Sequence, residues 1–365
     1  MQSNRHFLDT TLKQKSLFLT FALITSYAYL HYEIMVVILR ANLDKLIHFN
    51  AAYPFGQRIL TSIIARGIYE LSDLPIGLIF YFQEVGFTAL FFFTLQKLLS
   101  VPFSKREATL LSWLFLLLLP LITVINYKFF IGMPAAIYFP YDTATLFFMT
   151  AGYLFCLRAQ WIWFYVVVFF ATMNRETSLL LLLLLPALYT TKLKIIVRPV
   201  MITTIIYILT RASILFLLPQ KGSIMEFQLH SIDAPLVTFN IAWLFSQGHL
   251  LLFLYCFAGL PVLWFVFYNY IPKRFIPIKY VALFYFLILM LVGRIDEARI
   301  FSEIVILLYL PVCIAIKKWL LDEPVVLPQQ SRLSYILERY TVFIVLYLFI
   351  VCFTVVKLQQ YLPKQ

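Results

Sequence analysis

Apolar runs close to the length that crosses a bilayer, about 20 residues, recur along this whole chain. They lie at 17–39, 75–96, 109–125, 142–157, 199–218, 250–270, 280–292, 300–316 and 340–356. A helix satisfies its own backbone hydrogen bonds within such a run, as hydrocarbon requires. The composition leaves no soluble alternative: 62% of the 365 residues are hydrophobic and 13% charged, against about 45–50% and about 25% for a soluble domain. One core of this size cannot enclose the surplus, so it faces lipid. We therefore read an all-α, polytopic transmembrane helix bundle, one integral membrane domain over 1–365 with no separate soluble domain. The run at 17–39 is too long, and too weakly followed by small residues, for a cleaved leader, and reads as a retained signal anchor. Several runs are short, which places protein around them.

The net charge of +12 does not point to nucleic acid, because the basic residues cluster between apolar runs, where they orient helices. The four cysteines, Cys156, Cys256, Cys313 and Cys352, fall inside apolar runs and read as small hydrophobes.

The segment 161–190 decides the topology. As one helix it would be ~45 Å long with Asn174, Arg175, Glu176 and Thr177 near its middle; as two, each arm is only ~20 Å. If it crosses once, the clusters Lys192/Lys194/Arg198, Lys273/Arg274/Lys279 and Lys317/Lys318/Arg332/Arg339 fall opposite the N-terminus. The connections holding only Lys221, Arg294 and Arg299 would then be cytoplasmic. If it turns back at 174–177, those clusters join Arg5, Lys13, Lys15, Lys97, Lys105, Arg106 and Arg158 on one face, as the positive-inside bias requires. The hairpin gives about 11 helices, a cytoplasmic N-terminus and an outer C-terminus. It also gathers the unusual polar elements on the outer face, with outer loops at 40–74, 127–141 and 219–249.

Each polar element admits a structural and a functional reading. In the first outer loop, Ile59, Leu60, Ile63, Ile64, Ile68 and Leu71 repeat at helical spacing opposite Arg58, Ser62, Arg66 and Glu70, an interfacial helix. Arg58 or Arg66 either meets an anionic lipid head or lipid-linked phosphate, or snorkels as an anchor. Asp142 sits at a helix start, as an N-cap or as a base facing a substrate hydroxyl. Asn174 can cap the following helix and Glu176 suits its first turn, but Arg175 has no such local explanation. A guanidinium at a buried helix N-terminus is a competent phosphate site. Asp296, Arg299 and Glu303 share a helical face and can pair as a ladder. Alternatively Arg175, Arg294 and Arg299 share the acids, Glu297 among them, and clamp a diphosphate, with Glu33 or Glu84 closing the network.

A Gly-rich nucleotide loop, a paired-His metal motif and a Ser/His/Asp elbow are all missing, which argues against a nucleotide donor, a zinc hydrolase or a serine esterase. His31, His48, His230 and His249 are scattered and read as structural or interfacial. No cofactor is expected, and a divalent metal stays open.

The blocks Tyr-Pro-Phe-Gly-Gln-Arg at 53–58, Pro-Tyr-Asp at 140–142, Asn-Arg-Glu-Thr-Ser with seven leucines at 174–185, and Glu-Ala-Arg-Ile-Phe-Ser-Glu at 297–303 resemble segments of bacterial GT-C class glycosyltransferases and related surface-polysaccharide assembly proteins. That resemblance implies an extracytoplasmic cavity between helices that receives a sugar on polyprenyl phosphate, with a carboxylate of the first outer loop acting on a glycan or lipid acceptor. This first loop has isolated Asp44, Glu70 and Asp73 and no acidic pair. The expected activity is an inner-membrane glycosyltransferase or polysaccharide polymerase. Arg175, with Arg294, Arg299 or Arg58, would neutralise the departing phosphate; Asp142, or in second place Asp44, would take the acceptor proton. Asn174, Glu176, Asp296, Glu297 and Glu303 would support them. The rival readings are a transporter or flippase for a lipid-linked or anionic substrate, using the same buried arginines without chemistry, and a non-catalytic scaffold whose charges pair internally.

Overall fold

The computed structural model describes residues 2–33, 35–36, 41–125, 136–190, 193–218, 230–231, 234–246, 249–324 and 331–359. Much of the loops expected at 127–141 and 219–249, with Arg40, Lys192 and Lys221, lies outside them, as do the side chains of Arg5, Lys13 and Arg332.

The described chain is all-helical. Its helices are α1 Gln2–Glu33, α2 Leu43–Ile47, α3 Ile59–Leu71, α4 Ile76–Leu99, α5 Lys105–Pro120, α6 Tyr141–Leu157, α7 Trp161–Asn174, α8 Leu179–Leu188, α9 Leu193–Leu217, α10 Leu236–Leu244, α11 His249–Cys256, α12 Leu260–Val266, α13 Ile278–Val292, α14 Ser302–Leu320 and α15 Arg332–Gln359. Beyond them a two-residue parallel ladder pairs Met35 with Ala136 and Val36 with Ile137. It ties the segment after α1 to the one leading into α6.

Among the described residues six segments are long and apolar enough to cross a membrane: Ile76–Leu99, Lys105–Val124, Leu193–Leu217, Lys273–Val292, Ala298–Leu320 and Leu333–Cys352. A seventh arises if α10 and α11, bent by 97° at their junction, count as one broken span. These are the proportions of an integral membrane protein. The run expected at 250–270 is not one helix. Ala258 and Gly259 adopt φ of 51° and 67°, a left-handed conformation that ends α11, and Pro261 then opens α12.

Two helices form the centre. Nearly every residue of α6 is buried, Thr and Gly as well as Phe and Leu, and 78% of the apolar window of Ala298–Leu320 is buried, against 17% for Leu193–Leu217 and none for Leu333–Cys352. At ~25 Å, α6 is short because protein, not lipid, surrounds it. On α1, Ile24, Tyr27, Ala28 and His31 point inward at three- and four-residue spacing while Leu17, Phe18 and Phe21 are exposed.

The helix expected after Arg58 forms as α3, and apart from the buried Leu60 its apolar stripe faces out. Ile63, Ile64 and Ile68 are exposed, while the small face of Thr61, Ser62 and Ala65 is buried, with Gln83 of α4 donating Nε2–H to the Thr61 carbonyl at 3.0 Å. Small residues let the backbones approach, and the isoleucines are left for lipid.

The segment 161–190 folds back on itself. Thr172 and Ser178 are hydrogen-bonded across the turn at 3.1 Å. At the far ends of the two arms, Trp161 and Tyr189 meet with ring centroids 5.8 Å apart. The Tyr189 hydroxyl donates to the carbonyl of Cys156, near the end of α6, at 2.8 Å. Gly152 gives the return arm its room: a Cβ there would lie 2.5 Å from Leu181 Cδ2, so any larger residue would force Leu181 to shift where α8 seats against α6.

Candidate functional site

The central helices both begin at the closed end of this hairpin, each with a carboxylate in its first turn, Asp142 on α6 and Glu303 on α14. A third carboxylate, Glu176, starts the short turn that leads into α8. Each α-helix N-terminus carries roughly half a positive charge, so this end attracts anions before any arginine is counted. Three guanidiniums, Arg58, Arg175 and Arg299, then face four carboxylates, Asp142, Glu176, Glu297 and Glu303. The helix ends offset the extra negative charge.

Asp142 is the hub. Its Oδ2 lies 2.7 Å from Arg299 Nη1 and its Oδ1 3.4 Å from Arg175 Nη1. The same Arg175 nitrogen is 3.5 Å from Glu303 Oε1, which also accepts from the Thr177 hydroxyl at 2.8 Å. Arg299 Nη2 reaches Glu297 Oε2 at 2.8 Å, and its guanidinium lies over the Phe139 ring at 4.3 Å. Arg58 binds Glu176 with two donors, Nη2 to Oε1 at 2.5 Å and Nε to Oε2 at 3.2 Å, and stacks over Tyr141 at 4.6 Å. Asp142, Arg175 and Arg299 are each about 4% exposed and Glu303 is fully buried. Arg175 Nε is buried without a partner among the described residues. Burial opposes the charge on Arg58, but Glu176 outweighs it and raises the Arg58 pKa. Burial likewise pushes the Glu176 carboxyl up, and Arg58 more than reverses that, bringing it to about 2.

Residues from four distant stretches thus meet here: Arg58, Asp142, the 175–177 turn and the 297–303 block. Other expectations are corrected. Asn174 does not cap the following helix. It closes α7, and its Nδ2 donates to the Tyr141 carbonyl at 3.0 Å and the Thr145 hydroxyl at 2.9 Å, pinning the turn to α6. Asp142 caps nothing with its side chain; the arginines hold it.

The ladder through Asp296, Arg299 and Glu303 does not form, because those positions do not share one α-helix: Asp296 precedes the 3-10 turn Ala298–Phe301, Glu303 follows it on α14, and Arg299 turns to Asp142 and Glu297. Arg294 instead pairs with Asp296, Nη2 to Oδ2 at 2.6 Å, and stacks over Phe239. No described contact joins it to Asp142 or Glu303, so the expected clamp of Arg175, Arg294 and Arg299 reduces to Arg175 and Arg299. Burial lifts the Asp296 carboxyl above its usual range despite Arg294. Asp44 lies apart on α2, its side chain 68% exposed beside His48, and has no place in the cluster. Arg66 is also on the surface, bound to Glu70 at 2.5 Å.

Two features escaped the sequence reading. Glu84 does not join the arginines; it accepts from the Thr143 hydroxyl at 2.5 Å, with His31 Nδ1 2.8 Å away and the Tyr138 hydroxyl at 3.3 Å. Adjacent residues of α6 therefore serve two polar centres, Asp142 toward the guanidiniums and Thr143 toward a buried His–Glu pair. The second is Arg211 of α9, whose Nη2 donates to Gln57 Oε1 at 2.8 Å. A lone arginine inside an apolar helix was the signal that could have flagged it.

Among the described residues no three His, Cys, Asp or Glu side chains could hold a metal ion. No protein-family model, curated protein or solved structure matches this chain.

Proposed function

We propose that this chain is a glycosyltransferase or polysaccharide polymerase of GT-C-like fold in a bacterial inner membrane. It moves a sugar from a polyprenyl-phosphate donor to a glycan or lipid acceptor at the extracytoplasmic face. The observation that carries this reading is the meeting of Asp142, Arg175, Arg299 and Glu303, from three separate segments, in one buried cluster inside an apolar bundle. Desolvating such charges costs several kcal/mol per ion, and hydrophobic side chains often replace buried pairs at no loss of stability. A network kept at that cost is a functional candidate.

In this mechanism the carboxylates stand in for a phosphate in the resting protein, holding two guanidiniums aimed at one place. An arriving donor phosphate takes over part of Arg175 and Arg299, and its negative charge grows as the sugar–oxygen bond breaks. Arginines already oriented stabilise that charge without reorganising. Asp142, relieved of its partners, becomes basic enough to accept the acceptor hydroxyl proton.

The charge distribution supports placing this end outside. At the other end of α14, Lys317 pairs with Glu107 at 2.8 Å, and at the other end of α6, Arg274 donates to the Leu157 carbonyl at 3.3 Å. Lys105, Arg106, Arg158 and Lys273 neighbour these residues in sequence, giving the basic face expected in the cytoplasm. The reading keeps about 11 helices, counting α1, α6, both hairpin arms and the broken α10–α11 pair as membrane-inserted with the six long spans, the N-terminus cytoplasmic and the C-terminus outside.

The test is Arg175→Ala in purified protein given polyprenyl-phosphate sugar and acceptor in detergent. Transfer falls by at least about a hundredfold, the size typical for one lost oxyanion donor, with membrane insertion intact. Turnover at the wild-type rate removes Arg175 from the mechanism. The bend between α10 and α11 favours a second reading, a transporter for a lipid-linked or anionic substrate, since broken helices line transport sites. Transfer in detergent, where no compartments exist, separates the two.

A further inference from the structure

We propose that Arg211 and Gln57 form a second, separate subsite for a phosphate-type oxyanion, opening from the lipid side of α9. Arg211 lies near the end of an apolar helix, with Ile208, Leu209 and Phe216 exposed around it. It approaches the edge of the network already described, since Tyr207, one turn earlier, donates its hydroxyl to the Glu176 carbonyl at 3.2 Å.

The hydrogen bonding is one-sided. Arg211 has only donors, so the Gln57 atom that receives its Nη2 is the carbonyl oxygen Oε1, at 2.8 Å, and the amide orientation follows. That turns Gln57 Nε2 away from the contact. Both Gln57 Nε2 and Arg211 Nη1 are buried with no hydrogen-bond partner among the described residues, and Gln57 is only 5% exposed. A buried unmet donor costs about 1–3 kcal/mol, and the two residues joined by this bond carry one each. What would satisfy both is a group rich in lone pairs.

Charge selects the same ligand. Arg58, Arg175 and Arg299 are each bound to a carboxylate. Arg211 has no ion pair with an acid among the described residues; its described partner is a neutral amide. An oxyanion supplies the missing charge and can accept from a guanidinium through two oxygens at once. The shared chemistry is a phosphate group, and it has two possible sources, a lipid head arriving along the exposed flank of α9 or a free phosphate arriving from water. The subsite rests on the outer-face reading of this end of the bundle, but not on chemistry at Asp142.

Purified protein in phosphatidylcholine nanodiscs provides the test. One arm adds inorganic pyrophosphate to the water; the other dopes the disc with polyprenyl phosphate or phosphatidylglycerol, and native mass spectrometry counts the retained ligand. Arg211→Gln and Gln57→Leu are each expected to weaken retention about tenfold, equivalent to about 1.4 kcal/mol, with Arg211→Lys recovering part of it. The lipid arm is expected to respond and the pyrophosphate arm to bind weakly; the reverse pattern would keep the subsite and overturn its lipid source. Retention unchanged in both arms by both substitutions overturns the subsite. The transfer assay separates this inference from the proposed reaction: if the wild type fails to transfer sugar while Arg211→Gln still loses ligand, the subsite stands and the reaction falls.

Discussion

Asp142 is bound by two guanidiniums in a place that excludes water, so removing its charge leaves both uncompensated. Breaking a buried pair costs about 3–5 kcal/mol, against about 0.3–0.5 kcal/mol for an exposed helical pair. The Asp142–Arg299 contact at 2.7 Å and the surface Arg66–Glu70 contact at 2.5 Å therefore make a matched comparison, since the shorter bond is the weaker stabiliser. A double-mutant cycle on thermal unfolding in nanodiscs should give a coupling of about 1–3 kcal/mol for Asp142→Asn with Arg299→Gln. Arg66→Gln with Glu70→Gln should give less than about 0.5 kcal/mol. Equal couplings would show that the cluster is hydrated and not the desolvated hub described above.

At this scale the sequence announced Arg175 and concealed Arg211. Charged residues between two apolar arms cannot be explained by a loop, so 174–177 stood out. Arg211 is one basic residue near the end of an apolar helix, where snorkelling is the ordinary explanation, and only the fold brings Gln57 to it from 154 positions away. His31 and Glu84 likewise sit on different helices, 53 residues apart. Asp44 misled for the opposite reason, because a loop acid looks accessible whether or not anything lies opposite it.

Among the elements, the hairpin of α7 and α8 matters most, and a single glycine contact seats its return arm. Leu181 is fully buried, with both its methyl carbons within 2.9 Å of where a Gly152 Cβ would stand. Gly86 of α4 has nothing within 4 Å of the same position. Alanine gains about 1 kcal/mol over glycine in a helix interior, so Gly86→Ala should raise the melting temperature. Gly152→Ala should lower it, because overpacking costs about 1–3 kcal/mol, and Leu181→Ala in that background should cost less than it does alone. Stabilisation by Gly152→Ala would mean that α8 does not lie against α6. The return itself was readable from loop charge, which favours basic residues on one face. The break at Ala258–Gly259 was not, since hydropathy across 250–270 stays high and says nothing about φ.

For the whole molecule, two properties have to hold together: a polar cluster at one end of the bundle and a basic face at the other. Composition settles that the chain belongs in a membrane, and the six long apolar helices agree. It does not settle which helices cross. The buried α6 is too short to be recognised by span length, and the two arms of the hairpin are each ~20 Å. Those assignments depend on where the ends lie, and the ends carry different chemistry: Arg175, Asp142 and Glu303 on one side, Arg274, Lys317 and Glu107 on the other.

The turn at 174–178 can be located directly. With the four native cysteines replaced, single thiols introduced by Thr177→Cys and by Gln160→Cys are exposed to a membrane-impermeant maleimide in sealed, oriented vesicles. The account predicts labelling at position 177 only from the extracytoplasmic side, and at position 160 only from the cytoplasmic side. Labelling of both positions from the same side, or of position 177 from the cytoplasm alone, would contradict it.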